Sequence, residues 1–229
     1  MSDYKKEAAK EALKFVRPGM VVGFGAGSTM GHMINYIKED DTLLGSLTTV
    51  TSSFATRQLL LREGFAVREA GWLSAIDVYF DGCDQFDWRL TALKSGGGVH
   101  TSEKVVAAMA GEFILVGDAS KRVDRLDATY PLVVEVLPEA LGYVSFCLKK
   151  FFSPVRSELR MGAPGKDGAV VTERGNFLID NWFDVFPEPA MLNDRVTGIP
   201  GVLEHSLFFN MAHKAVIAGT QGIEICSKP

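Results

Sequence analysis

The chain has 229 residues, 47% hydrophobic and 23% charged, which suffices for one large core or a core with a small satellite and argues against disorder. Its net charge is −4 with a pI near 5.6, and no stretch gathers enough Lys and Arg to neutralise a phosphate backbone, so nucleic acid is excluded as the expected partner. No run reaches membrane-spanning length, the first residues lack the apolar core of a signal peptide, and Cys83, Cys147 and Cys226 show no CxxC spacing, so the expectation is a cytoplasmic protein with neither a disulfide framework nor a zinc site.

Ala8, Ala12, Phe15 and Val16 recur at helical spacing behind Ser2 or Asp3 as an N-cap, and Pro18-Gly19 ends that helix before an apolar strand from Met20 to Phe24. Gly25-Ala26-Gly27-Ser28 opens a second helix with Met30, Met33, Ile34 and Ile37 on one face. Leu47 to Thr51 reads as a strand, and the helix from Phe54 to Glu63 closes at Gly64. Strands are expected at Ile76 to Phe80 and Phe113 to Gly117, separated by a helix from about Glu103 to Ala110 with Gly111 as its stop. Buried strands alternating with amphipathic helices predict an α/β fold: an open, mostly parallel sheet with helices on both faces and ligands at the carboxyl ends of its strands.

The pattern changes near Tyr130-Pro131. A strand at Leu132 to Leu137, a helix at Glu139 to Phe152, a strand at Val155 to Leu159 and a hairpin of Val170-Val171 with Phe177 to Ile179 make a small inserted α+β domain over 129–203. Ala215 to Ala218 and Ile223 to Ile225 return to the main sheet, so residues 1–128 and 204–229 form the larger domain.

Three segments carry chemistry. Gly23-Phe24-Gly25-Ala26-Gly27-Ser28-Thr29 is a glycine-rich strand-to-helix turn, suited to phosphate at a helix N-terminus. It matches neither the dinucleotide fingerprint, since residues 28 and 30 are Ser and Met, nor a P-loop. Asp81-Gly82-Cys83-Asp84 delivers two carboxylates at a strand end, where paired acids can pass protons between hydroxyls. Lys94-Ser95-Gly96-Gly97-Gly98 followed by Glu103 offers a lysine and free backbone for a developing oxyanion, beside a candidate base. Each has a plain structural reading: a tight turn capped by Ser28, turn aspartates, a first-turn glutamate facing the helix dipole. Three in one βα array favour a site. Lys121, after another strand end, reads alone as a surface lysine. His32, His100, His205 and His213 lack metal-ligand spacing and read as capping or interior residues, and Phe54, Trp72, Phe86 and Trp88 as core or subunit contact.

The stretches GFGAGST, TSSFAT, YFDGCDQ, LKSGGGVHTSEKVVA, FILVGDASK, YPLVVEVLP, VVTERGNFLID, IPGVLEHSLF and AVIAGT, in that order, resemble the A-type ribose-5-phosphate isomerases over nearly the whole chain. The resemblance implies an open α/β fold with an inserted domain, a homodimer or homotetramer, and interconversion of ribose 5-phosphate and ribulose 5-phosphate through a cis-enediolate without cofactor or metal. It implies that Gly27, Ser28, Thr29 and Lys121, with Lys5 from the first helix, hold the phosphate. Asp81 and Asp84 then assist ring opening and hydroxyl proton transfer, Lys94 with the Gly96-Gly97 backbone stabilises the enediolate, and Glu103 moves the proton between C1 and C2. Ala26, Gly82, Cys83 and Ser95 complete the expected substrate contacts. Ala26, Gln85, Ser95 and Ser102 depart from the family's common Thr, Glu, Gly and Arg, Gln85 and Ser102 each removing a charge beside the catalytic groups. The competing readings are a non-catalytic sugar-phosphate sensor, against which the set of Glu103, Asp81 and Lys94 counts, and an isomerase of another sugar phosphate.

Overall fold

The computed structural model describes residues 3–163, 165 and 167–228. In chain order the elements are α1 (Tyr4–Ala12), β1 (Val21–Phe24), α2 (Ser28–Lys38), α3 (Asp41–Ser46), β2 (Thr48–Thr51), α4 (Phe54–Arg62), β3 (Ala66–Val67), β4 (Ile76–Asp81), β5 (Gln85–Phe86) and β6 (Ala92–Leu93). They continue with α5 (His100–Met109), β7 (Ala110–Asp118), β8 (Leu132–Val136), α6 (Leu141–Phe152), β9 (Arg156–Leu159), β10 (Phe177–Trp182), α7 (Pro189–Thr197), β11 (Val202–His205), β12 (Leu207–Phe208), β13 (Lys214–Gly219) and β14 (Gly222–Ser227). Asp3 stands at the N-cap of α1 without a side-chain capping bond, and the alternative cap, Ser2, lies outside the described residues.

The main sheet runs β14-β13-β7-β4-β1-β2-β3, and every pairing in it is parallel except the edge pair β13-β14. This is the open, helix-covered sheet that the apolar strands predict. Alternation along the central strands separates two cores: Val22, Phe24, Val78 and Phe80 meet α1 and α2 through Ala8, Ala12, Met30, Met33, Ile34 and Ile37. Tyr79, Phe113, Leu115 and Ile217 face the other way, toward Val106 and Ala107 of α5 and toward Phe208.

A second, antiparallel sheet, β11-β8-β10-β9, forms the small α+β unit. Val134, Val136 and Ile179 from it pack against Val144 and Leu148 of α6 and Leu192 and Val196 of α7. A three-stranded patch, β12-β6-β5, is built from two strands that fall between β4 and β7 of the main sheet and one that falls between β11 and β13.

Two expectations are corrected here. Helix α5 begins at His100, not Glu103, and Gly111 is not its stop: β7 starts at Ala110 with no intervening loop. Gly111 sits inside the strand, where a Cβ would stand 3.2 Å from the Asp77 carbonyl, so close strand approach is what requires glycine there. Of the four aromatics read as core or contact, Phe86 is in the core, whereas Phe54, Trp72 and Trp88 are exposed.

Candidate active site

The strand order reverses between β1 and β4, with β2 and β3 on one side and β7 and β13 on the other. Ligand crevices in open α/β sheets form beside such a reversal, at the carboxyl ends of the strands. Both chemistry-bearing turns, the one after β1 and the one after β4, emerge there and line a cleft of 390 Å³.

Its first wall is the glycine turn. Gly25 N–H donates to Phe80 O at 2.8 Å, which extends the β1–β4 pairing by one residue and presses the turn against Asp81. A Cβ at Gly25 would lie 1.9 Å from the Asp81 carboxylate, so no other residue fits. Thr56, one turn into α4, donates from Oγ1 to Gly25 O at 2.8 Å and holds the turn from outside. Gly27, at φ +99°, is the N-cap of α2 and supplies no capping oxygen, leaving the first N–H groups of the helix facing the cleft. Ala26, Gly27, Ser28 and Thr29 line this end, together with Lys5 of α1 and Lys121 after β7.

The wall continues from that turn, through Asp81, into a buried charge cluster. Asp81 is fully buried, and each of its oxygens accepts two donors: Oδ1 from Gly82 N (2.7 Å) and Ala26 N (3.3 Å), Oδ2 from Tyr79 Oη (2.6 Å) and Lys94 Nζ (2.8 Å). Lys94 Nζ also donates to Gly82 O at 2.6 Å and stands 3.4 Å from Glu103 Oε2, so its three protons have three oxygen partners. Two carboxylates thus share one ammonium out of water. Burial first, and the Asp81 charge second, raise the Glu103 carboxyl to about 8 against the pull of Lys94. Burial works against the Lys94 ammonium, but Asp81 and Glu103 outweigh it and hold the group above its ordinary value. Asp84, also on the cleft, accepts from Ser95 N at 2.5 Å and donates its own N–H to Leu93 O at 2.8 Å.

The cleft brings together all but one of the expected site residues. Ser95 is the exception: it is buried behind the wall, its Oγ donating to Pro131 O at 2.5 Å, and it serves the scaffold instead of the cleft surface. Gly82, Cys83, Gly96 and Gly97 all reach the cleft, and burial pushes the Cys83 thiol up to about 12, which keeps it protonated and unreactive. Neither Gln85 nor Ser102 lines the cleft, so the expectation that they remove charge beside the catalytic groups is corrected. Gln85 exchanges hydrogen bonds with the Asp127 backbone at 2.9 and 3.2 Å, and Ser102 Oγ accepts from Arg174 at 2.7 Å.

Val116, Gly117 and Asp118 at the end of β7 also line the cleft and were missed, although Asp118 repeats the Asp81 signal of a carboxylate closing a buried strand. Against its partial burial, hydrogen bonds from Ser120 and the nearby lysines hold Asp118 below the usual carboxylate range. His100 and His205 are interior, and burial drives them down to about 3 and 2, so both are neutral. Among the described residues no three His, Cys, Asp or Glu side chains stand where they could share a metal ion.

A glycine-rich helix N-terminus with two lysines on a switch-point cleft, beside a buried carboxyl of raised pKa that faces an ammonium, is an arrangement suited to proton transfer on a small anionic substrate in an open α/β enzyme. The family model for ribose 5-phosphate isomerase A (phosphoriboisomerase A) matches residues 48–222. The chain is 41% identical to ribose-5-phosphate isomerase A of Synechococcus sp. over 221 residues, covering 95% of this chain and 94% of that one. Its structure matches that of ribose 5-phosphate isomerase A from Methanocaldococcus jannaschii at a TM-score of 0.88, with 32% identity and 98% of each chain covered. It also matches a D-ribose-5-phosphate isomerase solved in complex with phospho-erythronic acid at a TM-score of 0.89, with 34% identity and 97% of each chain covered. This chain belongs to the ribose 5-phosphate isomerase A family.

Proposed function

We propose that this chain interconverts ribose 5-phosphate and ribulose 5-phosphate through a cis-enediolate, with Glu103 as the base. The observation that carries the reading is the Glu103–Lys94 pair, 3.4 Å apart and buried on the cleft that the phosphate turn also lines. Substrate phosphate sits on the α2 N-terminus, Ser28 and Thr29, with Lys5 and Lys121 supplying charge. The open-chain aldehyde then extends toward Lys94. Glu103 removes the C2 proton as the C1=O oxygen becomes anionic, and Lys94 with the Gly96 and Gly97 N–H groups stabilises that oxygen. Glu103 returns the proton to C1 while the C2 hydroxyl proton passes across to O1, with Asp84 as carrier, and the ketose results. Asp81, with all its acceptor sites engaged, aims Lys94. Carbon acids are weak, so the barrier falls only if the anion stabiliser is already in place. Phospho-erythronic acid is a phosphorylated sugar acid whose carboxylate reproduces the paired oxygens of such an enediolate, which supports the same reading.

Residues 1–128 and 204–229 are assigned to the catalytic domain and 129–203 to the inserted one, a division supported by the two separate sheets although β11 crosses residue 203. The chain assembles as a homodimer or homotetramer in the cytoplasm. Exposed Tyr143 and Phe146 on α6 support assembly, and three free cysteines suit a reducing compartment. A coupled assay of purified protein with ribose 5-phosphate tests the activity: turnover in the wild type, lost in Glu103→Gln, is expected, and absent wild-type turnover overturns it. Sedimentation as a monomer overturns the assembly.

A further inference from the structure

Arg160 lies on the small unit, directly after β9, and lines no part of the cleft, yet its guanidinium reaches the backbone of the Lys94–Gly98 segment. Its Nε and Nη2 grip Asp180 of β10 at 2.7 to 3.1 Å. The remaining donors reach across: Nη2 to Ser95 O and Nη1 to Gly96 O, each at 2.9 Å. Gly98 closes the contact at φ +69°, where an added Cβ would lie 2.7 Å from Leu178 and 3.6 Å from Arg160. In a trans peptide the C=O and the following N–H point in opposite directions. Pinning the Ser95 and Gly96 carbonyls on Arg160 therefore turns the N–H groups of Gly96 and Gly97 away from it. Both glycines line the cleft.

We propose that Arg160, fixed by Asp180, is a positioning residue that aims the Gly96 and Gly97 N–H groups at the anionic oxygen formed during the reaction, so that the inserted unit sets the catalytic geometry of the main one. The inference rests on the isomerase reading above. Glycine has the widest choice of backbone conformations, and three in succession do not hold an oxyanion cradle without outside support. The planar fork of arginine can hold a carboxylate and two carbonyls together, which the point charge of lysine cannot.

The test compares wild type, Arg160→Lys, Arg160→Met and Asp180→Asn in ribose 5-phosphate turnover, in inhibition by phospho-erythronic acid and by inorganic phosphate, and in amide hydrogen exchange over 95–98. Loss of aim is expected to lower kcat by roughly ten- to hundredfold in Arg160→Met, the scale of about 1 Å of misplacement. Asp180→Asn, close in volume and the safer folder, is expected to show a smaller loss and Arg160→Lys only partial rescue. Inhibition by phospho-erythronic acid weakens in step with kcat, while KM and inhibition by phosphate stay within about threefold and exchange at Gly96 and Gly97 quickens. An unchanged kcat in both Arg160→Met and Asp180→Asn, or an equal fall in affinity for phosphate and phospho-erythronic acid, overturns the proposal. Wild-type turnover in the same assay checks the isomerase reading separately.

Discussion

The two ends of the cleft solve opposite problems. At the phosphate end the protein offers backbone N–H groups, the exposed Ser28 hydroxyl with buried Thr29 behind it, and two lysines from different elements that reach water. At the other end Asp81, Lys94 and Glu103 are stripped of water and depend on one another for every charge they carry. Binding built from many solvated donors is redundant and tolerates single losses, because exposed ion contacts contribute little each. Proton transfer built from one buried triad has no spare part. Changes at the inner end should therefore act on kcat and fold stability, and changes at the outer end on KM.

The largest expected effect is Glu103→Gln. Removing the base should lower kcat by about 10²- to 10⁴-fold, with KM nearly unchanged because no substrate-binding group is lost. Steady-state kinetics on a variant shown to be folded checks it. If the loss appears in KM instead, the contrast between the ends fails.

Lys94→Met should follow, at about 10²- to 10³-fold in kcat, the scale of one lost oxyanion donor. Unlike Glu103→Gln it should also destabilise the fold by about 3–5 kcal/mol, because the buried Asp81 carboxylate then loses the ammonium that balances its charge. Denaturant unfolding distinguishes the two. A Lys94→Met protein as stable as wild type would show that the triad is less dry than its burial implies.

The pH profile sharpens the same point. Glu103 must be ionised to accept a proton, and its carboxyl is raised from 4.5 to about 8, so kcat/KM should fall about tenfold per pH unit on the acid side of a midpoint near 8. The linkage to stability has the opposite slope. Between 4.5 and 8 the native state holds the Glu103 proton and the unfolded chain does not, so this group stabilises the fold fully below 4.5 and that contribution is lost as pH rises through 8. Lys94, held above its ordinary value, keeps its own contribution across that window and loses it only in stronger alkali. An acid limb in the ordinary carboxylate range would place the base elsewhere.

The contrast between the ends also explains what the sequence could reveal. The phosphate turn, the Asp81–Asp84 pair and the Lys94–Gly98 segment are continuous and close buried strands or precede helices, so their placement at one sheet edge follows from the alternation of strand and helix. What supports them is discontinuous. Tyr79 reads as one more apolar strand residue, and only the structure sets its hydroxyl 2.6 Å from Asp81. Glu135 looks like a polar interruption in β8, yet it is buried and accepts from Thr101, Thr172 and Asn176. The strands β3, β5, β6, β11 and β12 and the helices α3 and α7 also went unread: two-residue pairings and a six-residue helix carry too little periodicity to separate from loop, and α7 starts at Pro189 in the segment Phe186-Pro187-Glu188-Pro189, which reads as a turn.

The smallest expected effect tests the outer end alone. Ala26 lies in the phosphate turn with its N–H on Asp81 Oδ1, and its methyl is the least functional side chain along the cleft's anion wall. Ala26→Thr adds a hydroxyl there and leaves the backbone N–H bond to Asp81 and the Lys94 and Glu103 side chains unchanged. A hydrogen bond to a charged group is worth about 1.5–3 kcal/mol, but in the proposed binding mode Ser28, Thr29 and the helix N–H groups already serve the phosphate, so the gain belongs at the lower limit, about tenfold. If the turn is simply under-furnished for ribose 5-phosphate, KM should drop by up to that factor with kcat unchanged, since substrate and transition state carry the same phosphate and gain equally. If the turn is instead shaped for a bulkier phosphate ester, the added atoms collide with it and KM for ribose 5-phosphate rises. Ser28, Thr29 and Lys121 remain in place to bind a phosphate of ordinary size, which favours the lower KM. A raised KM with an unchanged melting temperature would move the preferred substrate away from ribose 5-phosphate while leaving the isomerase chemistry of the inner end intact.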